Sequence, residues 1–196
     1  MAEELEKYVK QLEDNIWITR KCRINAAERL QANENFCRFI SIYYSIMTTG
    51  YTLINMLVLE DKIVDVVTLI IAIATTSFFF YLDTKNYKDR YLGFKENYIK
   101  LGKLLDKIKE KRIVGFKIED YHEISEEYAE LQMSVENHKT KDYNKLLLEQ
   151  NVENKKLKFK EKVLYYGAEW LFFFLKCIAF LFPIVCGIVY WLIKMK

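Results

Sequence analysis

The sequence has a single proline, six glycines and two histidines in 196 residues. So little turn chemistry argues against a sheet protein, whose hairpins depend on it, and the long Lys/Glu/Leu/Tyr tracts favour helix. The four cysteines, Cys22, Cys37, Cys177 and Cys186, form no CxxC pair. They read as reduced thiols, buried or facing lipid, rather than as a disulfide framework or a metal site. His122 and His138 are too few and too scattered for a metal cluster, and no cofactor is expected. GxxxxGK, GxGxxG and HExxH are all missing, as are a nucleophile motif and a paired-carboxylate signature. The chain is therefore not expected to be an enzyme. A net charge of +3 is too weak to argue for direct nucleic-acid binding.

What is present is segregated. The chain is 52% hydrophobic and 29% charged, which is possible only because the apolar residues are gathered into blocks. Residues 39–59 carry no charge, and residues 63–82 carry only Asp65. At about 1.5 Å per residue, either block spans a hydrocarbon core of about 30 Å. Glu60, Asp61 and Lys62 alone connect them, so the chain must reverse there as a transmembrane hairpin. Residues 1–38 are mixed in charge and read as a polar helix rather than a secretory signal.

The hairpin has an internal pattern. Ser41, Ser45, Thr48, Thr52 and Asn55 recur at helical spacing as one stripe, and Asp65, Thr68, Ala72 and Thr75 answer it on the second span. Lipid takes the apolar faces, so these polar seams must look inward. Two uses are open: close helix packing, or the lining of a water-filled path when copies assemble. Asp65 sits near the end of its span. It reads either as a residue snorkelling to the interface or as part of an acidic ring at a pore mouth.

The flanking regions read as a helical body. Leu12, Ile16, Thr19, Arg23, Ala26 and Leu30 recur along a helix over residues 3–37 that runs toward the first span. Tyr87, Tyr91, Phe94, Tyr98, Leu101, Leu105 and Ile108 form a heptad-like seam on a long helix over 83–112. Gly115 marks a break. A helix over 119–135 follows, with Ile124, Tyr128, Leu131 and Val135 on one face. After a polar turn over 134–143, a charged helix is expected over about 142–162, basic toward its end.

The last segment is ambiguous. Residues 177–193 are uncharged and at the short edge of a span, with Trp170 and Trp191 bracketing the region like interface anchors. A third transmembrane helix kinked near Pro183, preceded by an interfacial helix over 163–176, competes with a buried or re-entrant apolar hairpin. Basic residues are frequent before residue 39 and over 155–162, while Lys62 is the only one in the hairpin loop. The positive-inside rule then places the N-terminus and the middle region in the cytoplasm. The expected architecture is an all-α membrane protein: a transmembrane helical hairpin, a cytoplasmic helical bundle, and a third C-terminal transmembrane or re-entrant helix.

Two stretches carry more than composition: WITRKCRINAAERL at 17–30, immediately before the first span, and SVENHKTKDY at 134–143. With the hairpin they resemble the SLATT family, the SMODS and SLOG-associating two-transmembrane effector domains. The resemblance is to a branch with an extra C-terminal region, often encoded beside reverse transcriptases. It implies a SLATT-like domain over 1–143 and a C-terminal extension over 144–196, comprising the basic helix and the apolar segment 163–193. It also implies a bacterial conflict-system effector that forms membrane pores and kills or arrests the cell. Its partners would be the lipid bilayer of the bacterial inner membrane, further copies of itself, and an upstream reverse transcriptase or nucleotide-signal sensor. The matched residues are Thr19, Arg23, Ala26, Arg29, Leu30, Glu136, Asn137, His138, Asp142 and Tyr143. Arg23 and Arg29 suit headgroup contact and ion pairing, or a basic pocket for an anionic signal. Asn137 and His138 suit a turn network capping the helix at 142, or ligand binding.

Overall fold

The computed structural model describes residues 2–150 and 156–194. Every element in them is helical: α1 (Ala2–Ile54), a π-helical turn (Asn55–Leu59), α2 (Lys62–Asp83), α3 (Tyr87–Val114), α4 (Ile118–Met133), α5 (Thr140–Glu149) and α6 (Phe159–Lys194). No proline and only one glycine, Gly50, falls within α1, so nothing in its backbone chemistry interrupts the helix before the hairpin. The described residues make two compact units. One takes its residues from Met1–Gln31 and Lys88–Lys158, the other from Ala32–Tyr87 and Phe159–Lys196.

In the first unit, Val9, Leu12 and Ile16 of α1 meet Leu101, Leu104, Leu105 and Ile108 of α3 and Ile124 and Leu131 of α4. Each fully buried Leu or Ile contributes about 1.5–3 kcal/mol, and together they hold three helices that have little intrinsic stability alone. A smaller cluster of Cys22 and Leu146, covered by Trp17, Ile18, Tyr143 and Leu147, fastens α5 to α1. Gly102 lets α3 approach α1: a Cβ there would stand 3.2 Å from the Arg20 Nε. The break at Gly115 is a left-handed turn with φ 105°, which glycine adopts without strain.

The second unit contains the hairpin. The π-helical turn ends α1, Glu60 takes a left-handed conformation with φ 49°, and the Asp61 carboxylate caps α2 by accepting from the Ile63 amide at 2.9 Å. Helix α6 lies along α1 in the same direction, with Phe180 stacked on Tyr43 and Tyr190 reaching Asp61 at the hairpin tip. Ile63, Leu69, Ile70, Ile73 and Phe80 of α2 and Phe172, Phe173 and Ile188 of α6 project outward, exposed. Helices α2 and α6 are each long and apolar enough to cross a membrane.

Three expected boundaries differ. The helix expected over 83–112 begins at Tyr87, because the chain turns over 84–86 with Asn86 left-handed at φ 47°. The basic helix expected over 142–162 is not one helix. Helix α5 closes at Glu149, Gln150 is extended, residues 156–158 are not helical, and α6 starts at Phe159. Lys155 lies outside the described residues. Finally, 159–194 is one continuous helix that includes Pro183, so it is neither an interfacial helix plus a separate span nor a re-entrant hairpin. The apolar residues of 163–176 and 177–193 form one run whose only proline is accommodated as described below.

Candidate functional site

The two motif stretches of the sequence meet in the first unit. Arg23 is 1% exposed and donates through Nη1 to Asn97 Oδ1 and, at 2.8 Å, to the Leu131 carbonyl. Its Nη2 donates to the Gln132 carbonyl at 3.2 Å. Asn97 closes the network by donating to the Leu131 carbonyl and to Ser134 Oγ, each at 2.8 Å. Arg23 thus satisfies the open C-terminal carbonyls of α4, which have no helical donors of their own. The guanidinium is too deep for the open headgroup contact expected of Arg23, and it forms no ion pair among the described residues; its partners are instead main-chain carbonyls and Asn97. Burial works against its charged form and lowers its pKa, with Tyr128 acting in the opposite sense.

Arg29 pairs with a carboxylate that lies far along the chain. Its Nε and Nη2 hold both oxygens of Asp142 at 2.8 and 2.9 Å, and Asp142 is 2% exposed. Asp142 also accepts from the Lys139 amide at 2.9 Å, capping α5, while its own carbonyl accepts from Asn25 at 3.0 Å. The capping expected of Asn137 and His138 is therefore done by Asp142. Asn137 is exposed. His138 is half-buried, and its Nδ1 is buried without a hydrogen-bond partner. Burial holds the His138 imidazole below its usual range; Asp142 opposes this and Arg23 adds to it. Among the other matched residues, Thr19 meets the Tyr128 hydroxyl at 2.7 Å, Glu136 pairs with Arg90 at 2.6 Å, and Tyr143 covers Cys22 and Leu146. Ala26 and Leu30 are fully buried.

The hairpin stripe divides between two faces. Thr48 and Thr68 line a cavity of about 40 Å³ with Tyr44, Tyr51 and Pro183. Thr75 is half-buried beside Tyr44, Ile71 and Phe182. Ser45 and Thr52 are exposed, while Ser41 is half-buried. The helical turn places Thr48 and Asn55 on the side of Tyr44 and Tyr51, and carries Ser45 and Thr52 past it. The hydroxyls of Ser45, Thr48, Thr52, Thr68 and Thr75 each donate to the carbonyl four residues back, at 2.6 to 3.0 Å. They therefore need no partner helix. Ser41, Ser45, Thr49 and Gly50 leave an open groove on the outer face of α1 between Ile42, Ile46 and Leu53. At the tip, Asn55 donates to Asp65 Oδ1 at 2.6 Å and to the Asp61 carbonyl at 2.9 Å, so Asp65 stabilises the turn.

Three tyrosines of the first span form a contact that the polar-stripe reading missed. Pro183 has no N–H, so the Ala179 carbonyl four residues earlier loses its helical donor. The Tyr44 hydroxyl donates to that carbonyl at 2.8 Å. Tyr43 donates to the Phe180 carbonyl at 2.9 Å, and Tyr51 donates to the carbonyl of Pro183 itself. Gly187 makes room for Tyr51, whose hydroxyl a Cβ at that position would strike. A proline inside an apolar run, together with tyrosines inside another, was the available signal: each leaves a polar group that lipid cannot satisfy.

Among the described residues no cluster of His, Cys, Asp and Glu could hold a metal. No curated protein and no solved structure matches the chain. One family model, the SMODS and SLOG-associating 2TM effector domain family 5, matches residues 5–191. That match runs from the first buried turns of α1, through both motif stretches and the hairpin, to the last turns of α6. The chain is therefore a member of the SMODS and SLOG-associating 2TM effector domain family 5.

Proposed function

We propose that this protein is a membrane-embedded effector of a bacterial anti-phage or other conflict system. It sits in the inner membrane with its N-terminus in the cytoplasm. When an upstream partner fires, several copies assemble and open a pore or breach the bilayer, and growth stops or the cell dies. The partner in this reading is a nucleotide-signal sensor or a reverse transcriptase. Family membership supports the effector role. The observation that carries assembly is the outer groove of α1, where Ser41, Ser45, Thr49 and Gly50 leave an open small-residue surface with no helix of the described residues against it. Small residues at four-residue spacing let transmembrane helices approach closely.

The test is membrane potential in cells carrying the intact system. Triggering should depolarise the membrane before growth stops, and combining Ser45→Leu, Thr49→Leu and Thr52→Leu should abolish both effects while the protein still inserts. Arrest without depolarisation would refute the pore.

A second reading is a non-conducting anchor that holds a partner enzyme at the bilayer. The internal hairpin seam favours it, because Thr48 and Thr68 border a cavity of only about 40 Å³ and their hydroxyls are satisfied within their own helices. In that case the triple leucine variant keeps full activity.

A further inference from the structure

Arg23 and Arg29 differ in how their charge is met. In Arg29 the side-on edge of the guanidinium, Nε with Nη2, is closed by both oxygens of Asp142. In Arg23 the Nη1 and Nη2 groups donate only to neutral acceptors, two main-chain carbonyls and the Asn97 amide. Its Nε is buried and has no partner. Among the described residues no carboxylate pairs with Arg23, and Asp142 is already neutralised by Arg29. Arg23 is thus a cation 1% exposed to solvent, and the Nε half of the edge that best fits an oxyanion has no partner.

A half-open cleft of about 350 Å³ lies against this residue. Its lining includes Arg23, Thr19, Gln132, Val135, Asn137 and His138. His138 brings a second buried nitrogen without a partner, Nδ1. The amides of Gln132 and Asn137 supply further polar groups at the mouth, and both residues are exposed. Two orphaned buried nitrogens and an uncompensated charge beside one cleft, at the meeting point of both motif stretches, are more than helix packing requires.

We propose that the Arg23–His138 cleft binds a small oxyanion, a phosphoryl or carboxylate group of a metabolite-sized ligand or of a lipid headgroup. One anionic oxygen takes the Arg23 Nε–H, and the imidazole of His138 holds a second. Both nitrogens are buried, so seating the anion requires a local shift of the lining side chains. Binding would tie the end of α4 and the 134–143 turn to α1. The assignment is independent of whether the hairpin conducts.

The test uses the full chain in nanodiscs of phosphatidylcholine, titrated with inorganic phosphate or acetate at constant ionic strength and followed by thermal unfolding. A second set of discs contains phosphatidylglycerol. A saturable rise of several degrees with phosphate or acetate supports a soluble ligand. A rise seen only with phosphatidylglycerol supports the headgroup source. Arg23→Lys should weaken the response at least tenfold, since it retains the charge and loses the edge. If that buried variant fails to fold, Gln132→Glu serves instead: it is exposed, places a competing carboxylate at the cleft, and should weaken binding at least tenfold with the ligand-free midpoint unchanged. No saturable shift with any of the three anions, or an equal shift in Gln132→Glu, overturns the proposal and leaves the cleft to water.

Discussion

The Tyr44 hydroxyl donates to the main-chain oxygen of Ala179 at 2.8 Å, and that oxygen is the one Pro183 deprives of its helical N–H. A tyrosine inside one apolar helix and a proline inside another each pose a polar problem in lipid, and here each answers the other. This coupling can be measured. Tyr44→Phe should lower stability in detergent by about 1 kcal/mol, the usual worth of one hydrogen bond. In a Pro183→Ala background, where the helix can supply its own donor to Ala179, the same substitution should cost nearly nothing. Equal costs in both backgrounds would refute the pairing.

Gly187 makes a steric prediction on the same interface. Gly187→Ala should push Tyr51 off the Pro183 carbonyl and lower the thermal midpoint, costing about 1–3 kcal/mol by overpacking. Adding Tyr51→Ala should recover part of the loss. A Gly187→Ala protein as stable as the parent would show that α6 does not sit on α1 at this point.

The Arg29–Asp142 pair should behave as a buried ion pair. Asp142→Asn leaves a guanidinium that is 18% exposed without its counter-charge, and should cost about 3 kcal/mol. Replacing both residues together, Arg29→Met with Asp142→Leu, should cost less than the sum of the single changes. The exception is the cap: the Lys139 amide loses its acceptor in Asp142→Leu, whereas the amide oxygen of Asn can still accept from it. A double-mutant cycle on the unfolding midpoint gives the coupling directly.

Two groups of the first unit set a pH window for stability. Burial pushes the Cys22 thiol up from 9.0 to about 12, with Asp142 acting in the same direction. Its folded-state pKa lies above its unfolded one, so its contribution is intact below about pH 9 and lost as pH rises toward 12. His138 is shifted down from 6.5, so its contribution is present above that value and lost as pH falls. Unfolding midpoints measured across pH should therefore fall at both ends. Cys22→Ala should flatten the alkaline side, and His138→Gln the acidic side. Native Cys22 should also resist alkylation at pH 8, while the exposed Cys186 reacts wherever the reagent reaches it.

Much of this fold is legible in the amino-acid sequence. The seam through Phe94, Leu101, Leu105 and Ile108 and the matching positions Leu12, Ile16 and Leu30 are periodic, and periodicity reports burial directly. The hairpin was legible for the same reason, since three residues cannot do anything but turn. The partners were not legible. Nothing local links Arg29 to Asp142 or Tyr44 to Ala179, because each bond joins residues more than a hundred positions apart. The charged stretch after Glu149 misled because Lys and Glu favour helix wherever they occur, whereas Gln150 is extended and residues 156–158 are not helical. The hydroxyl stripe was read as one seam, yet serine and threonine can satisfy themselves on their own carbonyls and so need not face a common partner.

The acceptors for Tyr43, Tyr44 and Tyr51 are all main-chain oxygens of α6. Recognition of α6 by α1 therefore reads a backbone shape in addition to the Phe180 stack. The outward residues of α6, such as Phe172, Phe173 and Ile188, can change without loosening the joint, whereas sliding the proline by a single position would strand the tyrosine hydroxyls in oil.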